Sequence, residues 1–227
     1  DRSRGLGDVY KRQDEGFTTV ATNPCGEIPL CPYDSCRLLA INLLSYVDKP
    51  FTKEASFNFE KFKQHVEKAM RMMDDIIDLE LEKIELIINK IAADPEDEDI
   101  RRVELELWKK IRTMARKGRR TGLGITAEGD MLAALGLRYG TPEATAFAVK
   151  VQKTLALEAY RASVKMAAER GAFEIFDARK EEKNPMIGRI READPELYAE
   201  MVKHGRRNIA MLTIAPTGTT SLMSQTT

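Results

Sequence analysis

The stretch Asn23–Cys36, NPCGEIPLCPYDSC, places three cysteines, three prolines and one glycine within fourteen residues. Prolines at that density fix local turns and remove backbone donors, so Asn23–Asp34 reads as a shaped loop. Cys25, Cys31 and Cys36 are all the cysteines of the chain. An odd count confined to one loop argues against a framework of structural disulfides, and three thiols fall short of a four-ligand zinc site. His65 and His204, the only histidines, lie far away in lysine-flanked, helical contexts and read as surface residues. Clustered thiols without an export signal point to redox or catalytic use in a reducing cytoplasm.

Within the loop, Cys25 has Asn23 two residues before it and Glu27 two residues after it. If the backbone were extended, residues two apart would share a side, and an amide, a thiol and a carboxylate would face one ligand. A neighbouring carboxylate raises a thiol pKa. That disfavours a thiolate nucleophile but suits a thiol that gives up a hydrogen atom. Spacing alone leaves this reading level with a bland one, a proline-rich loop carrying an incidental cysteine.

Outward from the loop, Phe17–Thr22 is β-branched and aromatic and reads as extended, as does apolar Leu38–Val47. Phe62, Val66, Ala69, Met73, Ile76, Ile77, Ile84, Ile87, Ile88 and Ile91 recur at helical spacing and predict a long helix that stops at Asp94-Pro95. Met70, Met72 and Met73 belong to its core and flank. Acidic Glu96–Asp99 opens a second helix running to about Ala115, its charge favourable at an N-terminus. Gly118–Gly124 reads as a basic turn and Thr126 as the cap of a short helix ending at Gly136. Thr141-Pro142-Glu143 starts a helix that reaches Arg170, and Asp194-Pro195-Glu196 starts another that ends near Gly205. Asn208–Ile214 reads as a strand running into the hydroxyl-rich turn Ala215–Ser221. Long helices around a few buried strands predict an α/β fold.

Acidic and basic residues balance at 36 each. That removes the electrostatic case for a nucleic-acid or membrane-surface protein. Hydrophobic residues make up 43%, without an apolar run that could span a bilayer. Asp1–Gln13 resembles translated adaptor sequence and is set aside as non-native; residues 14–227 are taken as the folded part. Thr227 falls within a motif, so the chain is expected to be an internal piece of a longer protein, inactive by itself.

Three stretches together carry a family resemblance. Asn-Pro-Cys-Gly-Glu with Pro-Leu-x-Pro-Tyr-Asp-Ser-Cys and Ala-Ile-Asn-Leu, then Arg119–Thr126 (RRTGLGIT), then Ile214–Ser221 (IAPTGTTS), occur in this order. The first resembles the finger loop of ribonucleotide reductase large chains, in a version similar to the adenosylcobalamin-dependent class. The resemblance covers the chain from about residue 17 to its end. It implies part of a ten-stranded α/β barrel, incomplete at both ends, with the radical cysteine on a loop through its centre. It further implies that Cys25 holds a thiyl radical that abstracts the 3′-hydrogen of a ribonucleotide. Glu27 is then the base on the 3′-hydroxyl, and Asn23 a hydrogen-bond partner of the sugar. Cys36 is implied as one half of the reducing cysteine pair, its partner lying upstream of this chain. Cys31 stands where relatives commonly have leucine, so it is read as a small apolar residue, with a reducing role or a pairing with Cys36 as alternatives. Arg37-Leu38-Leu39 departs from the family's usual Asn-Leu-Gly.

By the same resemblance, Pro216, Thr217, Gly218, Thr219, Thr220 and Ser221 hold the substrate's phosphates; by themselves they read as an ordinary helix start with extra hydroxyls. Arg119 and Arg120 read as phosphate ligands or as partners of acidic helices, with helix-end charge the commoner explanation, and are assigned no catalysis. The implied activity is a ribonucleoside-diphosphate reductase using adenosylcobalamin. The implied partners are a ribonucleotide, a thioredoxin- or glutaredoxin-type reductant and a second copy in a homodimer, with neither nucleic acid nor membrane. One alternative is a large subunit with no cofactor of its own, its radical drawn from a di-metal partner subunit. Others are a non-catalytic helical binding module and a thiol–disulfide protein using Cys31 and Cys36.

Overall fold

The computed structural model describes residues 16–227. The segment Asp1–Gln13 lies outside the described residues. β1 (Ala21–Thr22) pairs antiparallel with β2 (Pro29–Leu30), so the cysteine loop is a hairpin with residues 23–28 at its tip. β3 (Leu39–Asn42) follows. The expected extended run to Val47 is broken by a 3-10 turn, Leu43–Tyr46, because the Asn42 side chain accepts from the Leu44 amide at 3.1 Å and caps it. β4 (Val47–Asp48) and β5 (Ser56–Phe57) form a small antiparallel pair.

α1 (Phe59–Ala92) is the predicted long helix, capped by Asn58, whose side chain accepts from the Lys61 amide. Phe62, Val66, Met70, Met73 and Ile77 are wholly buried along one face, each contributing about 1.5–3 kcal/mol through apolar burial. Met72, on the flank, is 57% exposed. α2 (Glu98–Gly118) starts at its Asp97 cap and ends on Arg119 in the left-handed conformation. The basic turn expected to continue to Gly124 is shorter than that. β6 (Leu123–Thr126) begins inside it and runs parallel to β3, with Leu39 opposite Leu123 and Asn42 opposite Thr126.

Thr126 is therefore the last residue of a strand and not a helix cap. The cap of α3 (Glu128–Ala134) is Ala127, which has φ +62° and makes no side-chain cap bond. α4 (Pro142–Arg170) and α7 (Pro195–His204) start at the capping threonine and aspartate expected of them. Two helices between them, α5 (Ala178–Glu181) and α6 (Pro185–Ala193), were not foreseen. Asn184-Pro185 carries the same start signal as Asp194-Pro195. α8 (Gly218–Ser224) closes the described chain.

Residues 208–214 are extended but register as a single parallel bridge, Leu212 opposite Leu123, instead of a full strand. Backbone bonds from Thr121 N to Ala210 O (2.9 Å), Leu123 N to Met211 O (2.7 Å) and Thr213 N to Leu123 O (3.0 Å) nonetheless tie the segment along β6. The parallel unit thus runs β3, β6, residues 210–213. Among the described residues no closed barrel is formed, and the fold is mainly helical around that short parallel unit.

The main core packs α1, α3, α4, α6 and α7 against the strands. A second, smaller apolar cluster of Phe17, Cys31, Phe173, Ile175 and Ile209 sits under the cysteine hairpin. No described helix is long and apolar enough to cross a membrane.

Candidate active site

The hairpin tip is a turn, so the alternation expected of extended backbone does not orient its side chains. Gly26, at φ +86°, turns the chain through a conformation that side-chained residues rarely adopt. Its amide donates to the Asn23 carbonyl at 3.0 Å, and the Asn23 amide donates to the Ile28 carbonyl at 3.1 Å. The Asn23 side chain is buried inside this turn, accepting from the Ile28 amide at 3.0 Å and donating toward the Cys36 sulfur at 3.7 Å. Cys25 is exposed at the tip.

Glu27 turns inward. Both of its carboxylate oxygens are buried and lack a hydrogen-bond partner. The side chain lines a cleft of about 340 Å³ together with Arg120, Thr121, Tyr160, Arg206 and Met211, among others. Cys25, Asn23 and Cys36 are not part of that lining.

The residues of the loop still act on one another. Burial raises the Cys36 pKa, and the negative charge of Glu27 adds to it. The hydrogen bond from Asn23 opposes the rise, ionised Cys25 adds a smaller increment, and Arg37 opposes it. The Glu27 charge thus acts on Cys36, a thiol for which the sequence reading did not foresee it. Cys31 behaves differently. Its thiol is buried in the small apolar cluster and donates to Asp34 at 3.1 Å. Burial first, then the Asp34 charge, push its pKa up to about 12. That environment suits an inert packing thiol.

Two buried arginines anchor the loop. Arg120 pairs with Asp34 at 2.5 Å, the side chains 3% and 2% exposed. Arg37 forms a two-point ion pair with Glu80 on α1 and donates to the Arg120 carbonyl at 2.9 Å. The departure at Arg37 is therefore a tie between the loop exit, the turn that precedes β6, and α1. Arg119 pairs with Asp74 and Asp78 on α1, each at 2.8 Å. Pairing with an acidic helix thus holds for Arg119, whereas the partner of Arg120 is a loop aspartate that sequence reasoning missed. Asp34 lies in the Tyr-Asp-Ser-Cys wording, but nothing local in the sequence says that it is buried.

The hydroxyl-rich turn joins the hairpin through its lead-in strand: Thr213 Oγ1 donates to the Glu27 carbonyl at 3.3 Å. Thr217 caps α8 without a side-chain bond. Thr217, Thr220 and Pro216 line a small cleft of about 110 Å³ against Gly122, Gly124 and Leu39. Gly218 and Thr219 are exposed, and Ser221 turns its hydroxyl to the Gly218 carbonyl at 2.9 Å. His65 is half-buried, bonded through Nδ1 to the Tyr46 hydroxyl at 2.9 Å, and His204 lies 3.3 Å from Glu200. No cluster of three or more metal-ligating side chains occurs among the described residues.

Comparison with known proteins agrees with the motif resemblance. Residues 11–227 match the family described as the ribonucleotide reductase barrel domain. A vitamin B12-dependent ribonucleoside-diphosphate reductase of Mycobacterium tuberculosis is 31% identical over 208 residues, 91% of this chain and 23% of that protein. A protein of the same description from Thermoplasma acidophilum is 33% identical over 204 residues, 90% of this chain and 21% of that protein. The chain thus spans between a fifth and a quarter of the length of these relatives. The Actinobacillus ureae class Id ribonucleotide reductase alpha subunit superposes with a TM-score of 0.62 at 21% identity, over 98% of this chain and 33% of that one. The family match over nearly the whole chain, joined to the three ordered motifs, settles its membership: this chain belongs to the ribonucleotide reductase barrel-domain family.

Proposed function

We propose that residues 14–227 are part of the catalytic barrel of an adenosylcobalamin-dependent ribonucleotide reductase acting in the cytoplasm on ribonucleoside diphosphates. The observation that carries the reading is the pairing of an exposed Cys25 thiol with a Glu27 carboxylate buried without a partner, two residues apart on one turn. An unsatisfied buried carboxylate costs free energy unless a ligand supplies its hydrogen bond. A substrate hydroxyl would do so. The B12-dependent relatives support the choice of cofactor.

In this reading Cys25, as a thiyl radical, takes the hydrogen atom from C3′ while Glu27 takes the 3′-hydroxyl proton. The 2′-hydroxyl leaves with a proton as water. Two thiols, Cys36 and a cysteine from outside these residues, supply two electrons and two protons and become a disulfide. Cys25 returns its hydrogen to C3′ and Glu27 its proton to the 3′-oxygen, so the net change is one water released and one disulfide formed per deoxyribonucleotide. Asn23 keeps one amide hydrogen for the sugar after bonding toward Cys36. Thr217, Gly218, Thr219, Thr220 and Ser221 hold the phosphates through hydroxyls and backbone amides, in a turn whose entry Pro216 shapes. Arg37, Arg120 and Asp34 keep the loop rigid.

Adenosylcobalamin, when bound, supplies the one-electron oxidation that creates the Cys25 radical. The exposed tip position of Cys25 fits a residue that such a cofactor must reach. A thioredoxin- or glutaredoxin-type dithiol resets the cysteine pair, and the full-length protein assembles as a homodimer. The test supplies the full-length protein with a ribonucleoside diphosphate and a dithiol, with and without adenosylcobalamin. Deoxyribonucleotide should form only with the cofactor, and Glu27→Gln should slow it by about 10²–10⁴-fold. Formation without the cofactor, or at an unchanged rate in Glu27→Gln, would contradict the reading.

A further inference from the structure

The cleft beside Glu27 holds a second unsatisfied group that the radical chemistry above leaves without a ligand role. Arg120 lines the same cleft, is 3% exposed, and has Nη2 buried without a hydrogen-bond partner. Its Nε is engaged by Asp34 at 2.5 Å, which fixes the guanidinium plane from the side of the cysteine loop. One cleft of about 340 Å³ is therefore lined by two residues with buried, unpartnered polar atoms, an acceptor in the Glu27 carboxylate and a donor in Arg120 Nη2. Apolar Met186, Ile209 and Met211 supply much of the remaining lining. Arg206, the other arginine there, is already satisfied by Glu181 and by the Asn208 and Ile209 carbonyls.

A ligand that satisfies both groups carries a hydroxyl that donates and, close by, an oxygen that accepts. A lone anion would be repelled by Glu27, and a lone cation by Arg120. A vicinal diol has the required pattern. We propose that Arg120 is a further substrate-contact residue, donating from Nη2 to one oxygen of a ribose cis-diol whose other hydroxyl donates to Glu27. This rests on the ribonucleotide reading above and extends it. With Glu27 on the 3′-hydroxyl, Arg120 meets the 2′-oxygen. It is then the residue that tells substrate from product, because the product has lost that oxygen. Arginine suits the task because one edge of its planar fork can be held by Asp34 while a separate N–H remains for the ligand.

The experiment measures equilibrium binding of a ribonucleoside diphosphate and its 2′-deoxy counterpart to full-length protein without adenosylcobalamin, so that no turnover occurs. Wild-type protein should bind the ribonucleotide roughly tenfold or more tightly than the deoxynucleotide, the loss expected for a buried charged donor left unpaired. Arg120→Lys, which retains a charge for Asp34 but not the second fixed N–H, should weaken ribonucleotide binding by about the same factor and leave deoxynucleotide binding unchanged. Asp34→Asn, which loosens the loop but keeps Nη2, should preserve the preference for the ribonucleotide. If Arg120→Lys keeps the preference, or Asp34→Asn loses it equally, Arg120 acts by holding the loop and the inference falls while the ribonucleotide reading stands. If wild-type protein binds the two nucleotides alike, the inference falls without any variant. If it binds neither, the ribonucleotide reading falls with it.

Discussion

Cys25, Cys31 and Cys36 share one short loop yet occupy three environments: an exposed turn tip, an apolar cluster, and a half-buried position facing a carboxylate. Only the thiolate is nucleophilic, so accessibility and pKa together set reactivity. With a pKa of about 12, Cys31 is a thiolate in about one molecule in ten thousand at pH 8. Iodoacetamide at pH 8, read by peptide mass spectrometry, should therefore label Cys25 first and leave Cys31 unmodified until the protein unfolds. Labelling of Cys31 as fast as Cys25 would contradict the packing role given to it. The thiol-rich wording of the loop was legible in the sequence, but the division of labour among its cysteines was not. Position in the sequence says nothing of Asp34 and Arg120 closing over Cys31.

Among the elements, α1 does more than fill the core. Asp74, fully buried on it, receives Arg119 at 2.8 Å, Arg207 at 3.2 Å and the Asn208 amide at 3.0 Å. These partners come from the end of α2 and the start of the extended segment that leads to Leu212. Burial alone would raise the Asp74 pKa, but the hydrogen bond and charge of Arg119, then Arg207, outweigh it and hold the carboxyl below the usual aspartate range. A depressed folded pKa means the stabilisation is complete above the unfolded value near 3.9 and is lost as pH falls through the lower folded value. Asp74→Asn should cost about 3–5 kcal/mol, as expected when one partner of a buried ion pair is removed. Thermal unfolding of the full-length protein at pH 7 checks this, and an unchanged transition would contradict the hub. The periodicity of α1 was plain in the sequence because ten apolar positions repeat, but a lone aspartate on that face carries no such signal. The strand at Leu123 was missed for a related reason. Its glycines, Gly122 and Gly124, read locally as a turn, yet they are small because the Arg37 and Thr213 carbonyls crowd the positions a Cβ would take. The chain neighbours of a strand cannot be read from the strand itself.

At the scale of the molecule, the described residues form a helical body around three short parallel segments, with the cysteine hairpin seated on a small apolar cluster. The α/β expectation and the long helices were legible from caps and periodicity. Among the described residues the parallel unit runs from β3 through β6 to residues 210–213 and forms no closed barrel. One exposed thiol stands at the end of the braced cysteine loop, two residues from a carboxylate without a partner. The central claim is that Cys25 carries the radical, and the most direct measurement is deoxyribonucleotide formation by full-length wild-type and Cys25→Ala protein supplied with adenosylcobalamin, a ribonucleoside diphosphate and a dithiol. The account predicts product from the wild type and none above background from a folded Cys25→Ala protein; product at the wild-type rate from that variant would contradict it.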